Sequence, residues 1–216
     1  MMQLLFLTIL IYITFQKEES KTIIIYFSRP GENYGVGTVD IGNTEMIVEY
    51  LKQITSITVY KINPETPYPV SYEETKTIAN SERDSGARPA IKDPLTDISN
   101  YDTILLGYPI WGGNLPNIVI NQLEKLSNKT NWKEKTIYPF NTHEGSGVGN
   151  SINDIKNYAK NAVVKDGFAI KGTDARKAES HEKILKWLNE QVGINSNKGI
   201  YIKNHLYLLI FMIFLI

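Results

Sequence analysis

The 216-residue chain contains no cysteine. That absence removes disulfides, iron–sulfur ligation, thiol catalysis and a lipid-modified cysteine together, and it suits either redox compartment. Net charge is missing as well: 23 basic residues balance 23 acidic ones. A chain without a basic field argues against nucleic acid as its main partner. Histidine is scarce. His143, His181 and His205 are scattered, with no metal-ligand spacing. Long hydrophobic runs are also lacking, since the apolar stretches Leu4–Phe15 and Leu206–Ile216 both fall short of the roughly 20 residues a spanning helix needs. The first resembles a signal-peptide core, yet no lysine or arginine precedes it and no small-residue cleavage site follows. Each end reads as a short anchor, a packed terminal element or an extension, and both are set outside the fold. The expected organisation is an apolar segment over 1–20, one domain over 21–194 and an apolar tail over 195–216, in a cytoplasmic protein with membrane attachment left open through the ends.

What is present alternates. Thr22–Phe27 is a β-branched and aromatic run suited to a strand buried on both faces, and Thr58–Ile62, Asp102–Gly107, Lys135–Phe140 and Ala162–Ile170 follow as further strands. Asp166-Gly167 marks a bulge or turn inside the last. Helical spacing covers Thr44–Ile54, Pro116–Leu126, Ser151–Lys160 and Ala178–Val192. The pattern predicts an α/β fold: a three-layer, doubly wound, five-stranded parallel sheet, whose ligand belongs at the carboxyl ends of the strands. Between the second and third strands runs Pro64–Pro94, a proline-rich excursion with one helical stretch, Tyr72–Glu82, too long for a plain connection. It is a candidate lid, with Tyr72, Arg83 and Arg88 as its notable side chains; solvated surface is the competing reading for each.

Three loops leave the strand ends. The first, Ser28–Thr44, is glycine-rich and opens a helix at Asn43-Thr44, the form of an anion site built from hydroxyls, backbone N–H groups and the positive end of a helix dipole. It is neither a G-x-G-x-x-G nor a P-loop sequence, and no lysine is placed to grip a nucleotide's terminal phosphates, so a single phosphate monoester held by Ser28, Asn43 and Thr44 fits it. Tyr108–Gly113 and Thr142–Gly149 are the other two. Gly145-Ser146-Gly147 lacks the G-x-S-x-G spacing of a hydrolase nucleophile.

Taken together, the YFSRPG start at Tyr26–Gly31, the YPIWGG loop at Tyr108–Gly113 and the FNTHEGSGVG loop at Phe140–Gly149 resemble the flavodoxin family over roughly Lys21 to Ile194. The resemblance implies strand order 2-1-3-4-5 and FMN at the switch point, a placement for which flavodoxin is itself a standing example. It also implies the site: Ser28, Arg29, Asn43 and Thr44 toward the phosphate; Tyr108, Pro109, Ile110, Trp111, Gly112 and Gly113 on one side of the ring; Thr142, His143, Glu144, Gly145, Ser146 and Gly147 on the other. His143 is a candidate to tune the flavin or donate a proton, and Trp111 is either a stacking residue or a core residue at a strand end. The chain departs from the family where Pro30–Gly42 is inserted between the serine-arginine and asparagine-threonine parts of the first loop. Glu32, Asn33 and Tyr34 in that insertion either close over the cofactor or lie on the surface.

The implied function is FMN-dependent electron transfer, most simply by an oxidoreductase that takes electrons from NAD(P)H or a redox protein and gives them to a quinone-like or other small acceptor. The alternatives are a flavodoxin-type carrier that docks redox proteins, and a flavin-free binding protein on the same fold. Pure carriers of the family are strongly acidic, and the neutral charge with the long excursion tilts the reading to a reductase. The resemblance to reductases of this architecture leaves a homodimer open for this chain, with no interface to be read in the sequence.

Overall fold

The computed structural model of the chain describes residues 21–196, so the apolar ends, and the expectations attached to them, lie outside the described residues. The chain begins with strand β1 (Thr22–Tyr26), a hairpin of β2 (Gly31–Asn33) and β3 (Gly37–Val39), helix α1 (Asn43–Ile54) and strand β4 (Thr58–Lys61). The excursion follows, with β5 (Asn63–Pro64), helix α2 (Tyr72–Ser85) and β6 (Ile91–Lys92). Then come β7 (Thr103–Pro109), α3 (Asn117–Ser127), β8 (Thr136–His143), α4 (Ser151–Tyr158), β9 (Val163–Val164), β10 (Phe168–Lys171), α5 (Gly172–Ala175) and α6 (Ser180–Trp187).

The main sheet runs β4-β1-β7-β8-β10 with every pairing parallel, which is the 2-1-3-4-5 order. β9 and β10 both pair with β8, so the fifth strand is one strand interrupted around Asp166-Gly167. Side-chain alternation divides the core in two. Ile23, Ile25, Ile104, Leu106, Tyr108 and Ile137 face α3 and α4. Ile24, Tyr26, Leu105 and Phe140 face α1 and α6, meeting Ile47, Leu51, Ile184 and Trp187. Gly107 sits beside Phe140 across the sheet, and a Cβ there would collide with the Phe140 ring, so glycine makes room for that aromatic side chain.

α2 is different in kind. Among its residues only Thr75 is buried, so no apolar stripe seats it on the sheet. It is delimited instead by its ends: Ser71 Oγ accepts the Glu74 N–H, and Gly86 closes the helix in the left-handed conformation (φ 69°). Buried amides of α3 then fasten the excursion. Asn117 Nδ2 donates to the carbonyls of Glu82 (2.7 Å) and Ala87 (2.8 Å), Asn121 Nδ2 to Pro89 (2.7 Å), and Gln122 Nε2 to Leu95 (2.6 Å). The last helix begins at Ser180, later than its sequence pattern suggests, and its final turn widens into a π-helix over Leu188–Val192.

Candidate functional site

The first loop starts where β1 ends. Ser28 is buried, and its Oγ accepts the Glu45 N–H (3.1 Å), capping α1 from a distance because the N-cap residue, Gly42, has no side chain. A Cβ on Gly42 would collide with that same Oγ, so the tight re-entry before the helix requires glycine. The inserted residues form the β2–β3 hairpin, which folds up against the start of α2. Glu32 N–H donates to Val70 O (2.8 Å), Glu32 Oε2 accepts the Tyr72 N–H (2.9 Å), and the Tyr34 and Tyr72 rings lie 5.6 Å apart. Arg29 is buried at the centre of this junction. It donates to the carbonyls of Pro69 (2.7 Å), Val70 (3.1 Å) and Glu32. Burial lowers its basicity and the Glu32 charge opposes that; the guanidinium remains a cation, and no carboxylate hydrogen-bonds it among the described residues.

The second loop is a two-residue turn. Trp111 and Asn114 exchange backbone hydrogen bonds (3.1 and 3.0 Å), and Gly112 and Gly113 between them have φ of 54° and 81°. Positive φ at both central residues defines a type I′ turn, which explains both glycines. Trp111 rests edge-on against Phe27 (5.3 Å) and Tyr68 (4.9 Å). In the third loop, Gly145 N–H donates to His143 Nδ1 (2.9 Å) and Asn141 Nδ2 to Gly147 O (2.8 Å). Asn150 N–H reaches Gly113 O (2.8 Å), which joins the third loop to the second.

These loops surround a cavity of about 390 Å³. Arg29, Asn43, Pro109, Ile110, Trp111, Gly112, Gly113, Thr142, His143, Glu144 and Ser146 all line it. So do Asn33 and Tyr34 of the hairpin, although Tyr34 is 63% exposed at the rim. The remaining expected residues stand elsewhere. Tyr108 is a correction: β7 continues to Pro109, alternation turns Tyr108 into the core with Ile104 and Leu106, and its hydroxyl meets Ser151 Oγ at 2.9 Å. Burial raises that phenol, with the Ser151 hydrogen bond opposing. Ser28 and Thr44 stand one layer behind the lining, Thr44 Oγ1 lying 2.8 Å from Thr142 Oγ1. Gly145 and Gly147 shape the third loop by the hydrogen bonds given above. Arg88 is a second correction, since it turns from the cavity to Glu124 (2.9 Å) and Tyr158 (3.0 Å).

The excursion expected as a candidate lid supplies a wall. Tyr72, named from the sequence, lines the cavity from α2, whereas Arg83 is not among the lining residues. Sequence reasoning missed Thr75, Lys76, Ala79 and Asn80, which share one helical face with Tyr72 by their i, i+3, i+4 spacing. The spacing was there to read, but nothing in it distinguishes a polar face toward a site from one toward water. Gly172 was missed too: a Cβ on it would collide with Asn43 Nδ2. Arg176 supports that corner, its Nη1 donating to Ile41 O (2.8 Å) and Asn43 Oδ1 (3.2 Å).

The donor set suits a monophosphorylated, flat ligand. Asn43, the first residue of α1, faces the cavity, so the positive end of the helix opens on it beside the Arg29 cation. The acid of that first turn, Glu45, is neutralised by Lys61 (2.7 Å) and takes the Tyr26 hydroxyl (2.9 Å). Glu144 is the one carboxylate among the lining residues, and its Oε1 accepts the Thr173 N–H (3.2 Å). Trp111, Tyr34 and Tyr72 offer aromatic surface. Burial holds His143 below the ordinary imidazole range, against Glu144, with Lys171 adding to the lowering. Because Nδ1 accepts an N–H, the neutral ring carries its proton on Nε2. No group of three or more metal-ligating side chains occurs among the described residues, and no helix among them is long and apolar enough to cross a membrane.

Comparison with known proteins agrees with the fold. A flavodoxin family model matches residues 21–191. A flavoprotein candidate of Bacteroides eggerthii is 28% identical with a TM-score of 0.59, covering 79% of this chain and 96% of its own. A flavoprotein of Lactobacillus acidophilus in complex with FMN is 22% identical with a TM-score of 0.53, covering 72% of this chain and 95% of its own. No curated protein matches. With its sheet order, its three loops and a family match over most of its length, this chain belongs to the flavodoxin family.

Proposed function

We propose that this protein binds FMN in the cavity and works as an oxidoreductase, passing electrons from NAD(P)H or a redox protein to a quinone-like or other small acceptor. The observation that carries the reading is the wall contributed by α2: the cavity has the family's loops on one side and a polar helical face on the other. A carrier exposes its cofactor edge to a docking protein, whereas a wall of this kind encloses a small molecule.

When bound, FMN supplies the electron chemistry, and the protein supplies position and electrostatics. Arg29 and the start of α1 offset the phosphate charge. Trp111, braced by Phe27 and Tyr68, presents a fixed aromatic plane. The type I′ turn brings the Gly112-Gly113 backbone close to the lining without side chains in the way. His143, neutral with its proton on Nε2, offers a hydrogen-bond donor at the cavity wall.

The test begins with the visible spectrum of the purified protein and identification of the released chromophore. Steady-state oxidation of NAD(P)H by a quinone is expected. Rapid reduction by a ferredoxin or flavodoxin reductase without such turnover would make the protein a carrier. A colourless protein that ignores added FMN would overturn the redox reading.

A further inference from the structure

We propose that the α2 side of the cavity is a binding site for a flat, anionic substrate, held by the Lys76 ammonium and the Asn80 carboxamide; this rests on the FMN reading above. Two positive groups line the cavity, and they sit at different places. Arg29 is fixed at the foot of α2, where it donates to the carbonyls of Pro69 and Val70, and the start of α1 opens nearby. That end is matched to the phosphate. Lys76 and Asn80 lie progressively further along the same face of α2. Beyond them Arg83 donates to Asn80 Oδ1 (3.0 Å), and a Cβ on Gly112 would lie 2.6 Å from Arg83 Nη1. The stripe therefore runs away from the phosphate end and toward the Trp111–Gly113 turn, the aromatic end of the cavity.

The chemistry along the stripe is uneven in sign. Lys76 pairs with Glu73 (3.2 Å) and Arg83 with Asp84 (2.9 Å), but both acids stand off the lining, in solvent. The lining itself presents an ammonium, a carboxamide and a tyrosine ring, with Lys76 Nζ 5.8 Å from the Tyr72 centroid. An aromatic plane beside a cation and an amide recognises a flat molecule carrying a carboxylate or sulfonate, and disfavours a cation.

The experiment uses the FMN-loaded protein and two non-reducible probes, naphthoate and its uncharged amide, titrated by calorimetry. Naphthoate is expected to bind tighter than the amide. Lys76→Gln is expected to weaken naphthoate roughly fivefold, the size of one partly exposed ion pair, and to leave the amide unchanged, while Lys76→Arg restores naphthoate. KM is expected to follow the same split between a naphthoquinone sulfonate and menadione. Equal affinity of both probes for the wild type would overturn the proposal, as would equal weakening of both by Lys76→Gln. So would a Lys76→Gln protein whose affinity falls for FMN but not for riboflavin, because Lys76 would then serve the phosphate. Failure of the wild type to take up FMN at all would instead remove the reading on which the proposal rests.

Discussion

At the scale of single residues, His143 is where structure and pH meet. Its Nδ1 accepts the Gly145 N–H, a bond that a proton on Nδ1 would abolish, and burial already holds the imidazole below its ordinary value of 6.5. The unfolded chain therefore binds a proton more readily than the folded one, so stability rises with pH across that window. The contribution is complete above the ordinary imidazole value and is lost as the pH falls below it toward the folded value. Urea unfolding measured across the imidazole range should show stability climbing with pH in the wild type, and His143→Gln should flatten that part of the curve. An unchanged slope in the variant would mean that the third loop does not depend on the ring's protonation.

Among the elements, α2 is the one the sequence reveals least. β1, β7 and β8 were legible because buried strands read as apolar runs, and the three loops were legible because glycine and proline interrupt those runs at the same end of each. α2 was recognisable as a helix within a candidate lid, but the face it turns to the cavity was not, beyond Tyr72. Its C-terminal end is fastened by Asn117, and the segment that follows it by Asn117, Asn121 and Gln122, amides whose targets are backbone carbonyls, and a carbonyl leaves no trace in a sequence. Tyr108 misled for a related reason: the loop motif starts inside the strand, and alternation, not motif membership, decides where the ring points. The amide staples make a prediction. Asn117→Ala removes the donor to Glu82 and Ala87 and should cost about 1–3 kcal/mol. Amide hydrogen exchange should accelerate across the C-terminal half of α2 and the following turn, and not in β1 or β7. Uniform acceleration would show that the excursion opens only with the whole domain.

On the scale of the whole molecule, the cavity exists only because distant segments meet. Arg29, Tyr72, Trp111, His143 and Gly172 come from separate parts of the chain, and the unfolded chain holds no version of the site. A ligand that binds there binds the folded state alone, and its affinity adds to stability by mass action. FMN at about 100 times its dissociation constant contributes roughly 2.7 kcal/mol. For a domain of this size that corresponds to a rise in Tm of about 5–10 °C. Riboflavin has the same ring without the phosphate, so at equal concentration its shift should be clearly smaller, the difference reflecting Arg29 and the start of α1. Arg29→Gln should bring the two shifts together. Thermal melts with each flavin decide the matter: equal shifts in the wild type would mean that the ring alone is held and that the first loop, for all its glycine and its helix, has no phosphate to bind.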